Sequence, residues 1–171
     1  MSGLNTALYA LNGAQTVSQF AAQRKQANAL DRAGAYERAG YDQNAQFAED
    51  QAADAIARGK EAELRQRTAV RQCRGSQRAG LGAQGIALDS GSALDVQEET
   101  VALGELDALT IRNNARREAY GYRVQAGDLR RQGQLAELSA RNQAGALRTA
   151  SYGTLLTGAA NTYSIYQQSK R

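Results

Sequence analysis

The chain has 171 residues, no proline, no histidine and a single cysteine, Cys73; its net charge is +4 and its pI about 9.4. Without histidine there is no Ser-His-Asp or Cys-His catalysis and no His-ligated metal, and one thiol closes no intrachain disulfide. Alanine supplies about a fifth of the residues while aromatic residues supply 6% and Trp none, so bulky core-filling side chains are scarce for a chain of this length.

Proline breaks helix interiors and punctuates loops, and Ala, Arg, Gln and Glu all favour helix. The composition therefore predicts an all-α protein with few turns. No signal-peptide pattern precedes the first charged residue, and no apolar run reaches the ~20 residues of a conventional membrane span. The mildly basic balance permits loose, transient contact with DNA or anionic lipid without requiring either.

Charge divides the chain. Residues 1–23 carry none, residues 24–148 carry nearly all of it, and 149–169 carry none again before Lys170 and Arg171. The N-terminal segment puts Leu4, Leu8 and Leu11 on one helix face and continues through Val17 and Phe20. A first long helix is expected over 24–78, with its helical pattern already legible from about Thr16. From Tyr41 onward a 4-3 spacing of mostly small residues marks a heptad-like seam: Ala45, Ala48, Ala52, Ala55, Gly59, Ala62, Gln66, Ala69 and Cys73. Phe47, Ile56, Leu64 and Val70 lie beside it and widen the face expected to be buried. The helix is expected to end on Arg65, Arg67, Arg71, Arg74 and Arg78, whose charge suits the negative end of the dipole.

A glycine-rich loop is expected over 79–91, because Gly75, Gly80, Gly82, Gly85 and Gly91 are too dense to sustain a helix. Gly80, Gly82 and Gly85 spell a dinucleotide-binding string, but a helical pattern precedes them where that fingerprint needs a strand, so no cofactor is expected. The second long helix is expected over 92–148. Ser92 and Asp95 open it as a capping pattern, with Glu98 and Glu99 following in the turns where the dipole favours negative charge. Leu94, Val101, Leu106, Leu109 and Ile111 form an apolar patch, and then the small-residue seam resumes: Ala115, Ala119, Tyr122, Ala126, Leu129, Gly133, Ala136, Ala140, Ala144, Leu147 and Ala150. Arg112, Arg116, Arg117 and Arg123 lie near Tyr120 and Tyr122 at helical spacing, which suits either interchain salt bridges or phosphate contacts.

Arg58 to Arg78 holds seven basic residues against Glu61 and Glu63, whereas Ala79 to Ile111 holds no basic residue and six acidic ones. A turn at the glycines brings these blocks together. The expected fold is a long antiparallel helical hairpin with alanine-rich, coiled-coil-like seams, assembled as a homo-oligomer. The C-terminal segment, 149–171, adds Tyr152, Leu155, Leu156, Tyr163, Ile165 and Tyr166. With Leu4, Leu8 and Leu11, these residues are the candidate contacts for a membrane or a partner. Neither uncharged end is apolar enough to insert alone. Each either enters a membrane within an oligomer, with polar faces turned to a lumen, or packs on neighbouring chains in a soluble assembly. No catalytic or metal-binding residues are expected, and the chain is read as a non-enzyme.

The stretch RAGLGAQGIALDSGSALDVQEETVALGELDALTIRNNARREAYGYRVQA, Arg78 to Ala126, resembles a segment of the internal virion proteins of short-tailed bacteriophages. It is most similar to the smallest of the three that are packed in the capsid and ejected ahead of the genome. The uncharged, Ala/Gly-rich N-terminus followed by an Ala/Gln-rich helix is also similar to that family. The resemblance implies residence in the virion near the portal, with the other core proteins and the portal as partners. After ejection it implies a place in the host outer membrane or envelope, as part of a conduit for the genome. The alternative is a structural adaptor of the virion core at the portal with no membrane role, and a third reading is a basic, helical nucleic-acid-binding protein.

Overall fold

The computed structural model describes the backbone of residues 2–169 and the side chains of residues 7, 8 and 10–167. Two helices make up the chain, α1 (Ser2–Ala83, 82 residues) and α2 (Ser92–Ser169, 78 residues), and no strand occurs among the described residues. They pack as an antiparallel hairpin. The interhelical partners run in opposite directions along the sequence: Arg38 with Glu137, Arg58 with Glu118, Arg67 with Glu105.

The turn is shorter than the glycine content predicts. α1 continues through Gly75, Gly80 and Gly82 to Ala83, five residues past Arg78. A glycine in a helix costs about 1 kcal/mol relative to alanine, which a long cooperative helix absorbs. What stops α1 is Gly85, in the left-handed region at φ 71°. The Gly85 N–H donates to the Gly82 carbonyl at 3.0 Å and the Ile86 N–H to the Leu81 carbonyl at 3.1 Å, which is a Schellman cap. As a result the last turn of α1 holds no basic residue, and the arginines lie inside the helix rather than at its end.

Gly91, at φ 63°, turns the chain into α2, and its carbonyl accepts from the Leu94 and Asp95 N–H groups at 3.0 and 3.2 Å. Gly91 thus takes the cap position that the sequence pattern assigned to Ser92. Asp95 does lie in the first turn. Gln97, completely buried, ties the turn down. Its side-chain amide donates to the Leu88 and Ala93 carbonyls at 3.0 and 2.9 Å, and its oxygen accepts from Arg78 Nη1 at 3.1 Å.

Contacts divide the chain into two compact units, one of Asn44–Asp128 and one of Met1–Gln43 with Leu129–Arg171. In the first, Ala52, Ala55 and Ala119 form a buried cluster, with Ile56 and Tyr122 packed against it. A Cβ built on Gly59 would overlap the Cβ of Ala115, and one on Gly104 would overlap the Val70 side chain. In the second, Gly34 meets Ala140 in the same way, Gly158 meets Thr16, and a Cβ on Gly133 would lie 2.9 Å from that of Tyr41. The helices approach this closely because one partner at each of these contacts is a glycine, set against Ala115, Val70, Ala140, Thr16 or Tyr41. A buried methyl contributes far less than the ~1.5–3 kcal/mol of a buried Leu or Phe, so many weak contacts hold the pair.

Of the expected seam, Ala45, Ala48, Ala52, Ala55, Gly59, Ala115, Ala119, Ala126, Gly133 and Ala144 are buried. Tyr41, Ala62, Gln66, Tyr122, Leu129, Ala136, Ala140 and Leu147 are half-buried. Ala69, Cys73 and Ala150 are exposed, and Glu63, Glu137 and Ser151 are buried in places the heptad spacing did not assign. The difference has one cause. Burial recurs at eleven-residue intervals on α2, at Ala93, Gly104, Ala115, Ala126 and Glu137. On α1 the pairs Gly34 and Ala45, and Ala52 and Glu63, keep the same interval, with Ile56 half-buried one interval after the first pair and Tyr41 half-buried one before the second. Eleven residues in three turns is about 3.67 per turn, near the natural helical value, whereas a strict heptad needs underwinding to 3.5. Extrapolated at seven, a seam walks off the buried face after a few turns.

Candidate interaction surfaces

Many of the large apolar side chains are exposed and the rest are half-buried among the described residues. Phe47 and Leu64, expected to widen the buried face, are exposed, while Ile56 and Val70 are half-buried. In the patch at the start of α2, Val101 and Leu106 are exposed and Leu94, Leu109 and Ile111 half-buried.

The uncharged ends come together within the unit Met1–Gln43 with Leu129–Arg171. Between them lies a cleft of about 360 Å³ lined by Asn12, Gln15, Thr16 and Gln19 of α1 and by Thr154, Thr157, Gly158 and Asn161 of α2. Its lining has no ionisable group. Thr16 and Thr162 turn their hydroxyls onto the Asn12 and Gly158 carbonyls, both at 2.8 Å, and Thr154 donates to Gln23 Oε1 at 3.2 Å. The apolar residues sit on the other faces. Leu8, Leu11, Val17, Tyr152, Tyr163 and Tyr166 are exposed, Leu156 is more open than any of these at 74%, and Leu155 is half-buried. The Leu4 side chain lies outside the described residues. At this end of the hairpin amides and hydroxyls line the open cleft between the helices, Phe20, Leu155 and Ile165 are half-buried, and the remaining leucine, valine and tyrosine side chains named above are exposed.

A cation marks the border of that end. Arg24, the first charged residue, stacks its guanidinium 5.5 Å from the Phe20 ring centre and 5.7 Å from that of Tyr152. The two rings are 6.3 Å apart and tilted by 59°. Tyr152 is therefore engaged within the chain, whereas Tyr163, Tyr166, Ala159 and Thr162 form an open, shallow patch.

The charged middle is bridged between helices. Arg67 holds Glu105 through two bonds, Nη2 at 2.6 Å and Nε at 3.1 Å, and this drives the Glu105 carboxyl below its usual range and raises the Arg67 guanidinium. Glu137, with a side chain only 12% exposed, accepts from Arg38 and Arg141, each at 2.5 Å. The hydrogen bond from Arg38 is the main cause of its lowered pKa. Arg148 closes on Asp31 and Asn28, and Arg58 on Glu118 at 2.9 Å. The complementarity expected between the basic and acidic blocks is realised at Arg67–Glu105 and Arg78–Asp89, and Gln66 adds a neutral hydrogen bond to Asp107. It is incomplete, because Arg65 bonds Glu61 on its own helix and Arg58 reaches past the acidic block to Glu118. Of the arginines near Tyr120, Arg112 faces Glu63 at 3.8 Å within the chain, while Arg116, Arg117 and Arg123 remain exposed.

Sequence reasoning missed Gly34, Gly104 and Gly158 as points of helix contact, and Gln97 and Glu137 as buried polar anchors. The eleven-residue spacing was the available signal for Gly34, Gly104 and Glu137. Nothing local marks Gln97 apart from the chain's other glutamines. Among the described residues no helix is long and apolar enough to cross a membrane, and no group of three or more His, Cys, Asp or Glu is placed to hold a metal. No protein-family model, curated protein or solved structure matches the chain.

Proposed function

We propose that this chain is an internal virion protein of a short-tailed bacteriophage, ejected at infection to form part of the conduit through which the genome crosses the host outer membrane and periplasm. The observation that carries the reading is the uncharged end, where a polar cleft between the helices lies beside exposed apolar side chains. Exposed Leu11, Val17, Leu156 and Tyr163 carry an apolar surface that water disfavours, and the cleft between the helices collects Asn12, Gln15, Thr157 and Asn161. In an oligomer the outward faces would meet lipid and one another, and the polar cleft would face a water-filled lumen, satisfying the hydrogen-bonding groups that lipid cannot. The alanine seams would act as coiled-coil-like contacts within each hairpin, and the charged middle would stay in water. Thin Gly/Ala packing without a disulfide also suits passage through a narrow portal, because little burial is lost when the pair opens.

The resemblance of Arg78–Ala126 to such proteins supports the same assignment. A test is leakage of a trapped dye from liposomes of outer-membrane composition, read together with the protein's mass in the membrane. Oligomers that release dye are expected. Oligomers that release none support the second reading, a portal-proximal adaptor that stays in the virion core. That reading is favoured by one observation, the lack of a helix apolar enough to span a membrane among the described residues.

A further inference from the structure

Within Asn44–Asp128 the hairpin carries two surfaces that nothing in the same chain satisfies. The first is a groove of about 390 Å³ between the helices, with Leu64 and Val70 on α1 and Val101 and Gly104 on α2 forming its apolar walls. The groove owes its depth to Gly104, where any side chain would overlap Val70. Its rim is cationic. Arg67 is committed to Glu105, but Arg71 meets only the Thr68 hydroxyl, at 3.1 Å, and Arg74 has no carboxylate partner among the described residues.

The second surface is a ridge on α2. Val96, Glu99, Leu103 and Leu106 follow a 3-4-3 spacing and share one face, with Asp95 beside them. The three apolar members are exposed, and neither Asp95 nor Glu99 meets a cation among the described residues. The ridge is thus apolar and acidic, where the groove is apolar and basic. Val101, on the groove wall, and Leu103, on the ridge, are two residues apart and so point about 200° apart around the helix axis. The two surfaces lie on opposite sides of α2 and cannot meet within one chain.

We infer that the groove of one copy receives the ridge of a second copy, with Leu103 between Leu64 and Val101 and with Asp95 and Glu99 against Arg71 and Arg74. The contact is head-to-tail, so it propagates and closes into a ring if the rotation per copy allows. The inference rests on the self-assembly part of the proposed function and not on its membrane part.

The test uses the full-length chain and its mass distribution by sedimentation velocity at low salt, with helicity checked by circular dichroism. The wild type should assemble, and added salt should weaken it. The paired reversals R71E/R74E and D95R/E99R, all at exposed positions, should each weaken self-association about tenfold or more. An equimolar mixture of the two should recover complexes, because each retains the surface the other has lost. As a second readout, chains carrying C73S with either L64C or L103C should form a disulfide only when the two are mixed. Wild type that assembles while both reversals assemble equally well, without the mixed disulfide, overturns this docking and leaves self-assembly standing. Wild type that stays monomeric overturns both and points the groove to an acidic partner of another sequence.

Discussion

A side chain as small as one methyl on Gly59 would overlap the methyl of Ala115 across the hairpin. Gly121, on the same helix as Ala115, has nothing within 4 Å of where its Cβ would be. The two glycines are alike in sequence and opposite in role. Gly59→Ala should destabilise the hairpin by about 1–3 kcal/mol through overpacking, even after the helix-propensity gain. Gly121→Ala should stabilise it by about 0.5–1 kcal/mol. Thermal denaturation followed by circular dichroism reads both, and equal shifts of one sign would contradict the packing described.

The turn offers a second such contrast. Gly85 sits at φ 71°, where an alanine is strained, whereas Gly80 is helical and open. Gly85→Ala should cost about 1 kcal/mol, and Gly80→Ala should gain a similar amount. Urea midpoints separate the two outcomes.

Gln97 is the buried clasp of the turn, bonded to Leu88, Ala93 and Arg78. Gln97→Ala strands the Leu88 carbonyl and should cost about 1–3 kcal/mol. Hydrogen exchange should quicken first around residues 84–97 if the clasp is local. A uniform loss of protection along both helices would argue against it.

Acid should loosen the hairpin at its interhelical carboxylates. Glu105 and Glu137 have folded-state pKa values below the ordinary 4.5, held down chiefly by Arg67 and Arg38. The stabilisation is fully present above the unfolded value and is lost as pH falls through the lower folded one. Denaturation midpoints should therefore be flat above about pH 5 and fall below it. Glu137→Gln should lower the neutral-pH plateau and make the acid limb shallower. An unchanged acid limb in that variant would remove Glu137 from the account.

Much of the architecture is legible in the sequence alone. The absence of proline, the helix-forming composition and the glycines near residue 85 dictated two long helices and one turn, since propensity and backbone freedom are local properties. Charge order added their antiparallel pairing, realised at Arg67–Glu105. The small-residue seam was also legible at its centre, around Ala52, Ala55 and Ala119.

Its course was not. Whether Ala69 or Val70, Ala150 or Ser151, faces the partner depends on the accumulated twist of two helices in contact. A difference of about a sixth of a residue per turn becomes a shift of about one residue, and so a change of face, over six or seven turns. The same holds for the glycines: Gly59 and Gly121 differ only in what stands opposite, and a residue's own sequence neighbours do not contain that information. The exposure of Leu103, Leu156 and Tyr163 follows from it too. Close approach at Gly34, Gly59, Gly104, Gly133 and Gly158 leaves room for few large side chains between the helices, such as Val70 at Gly104 and Tyr41 at Gly133, and many of the others are exposed among the described residues.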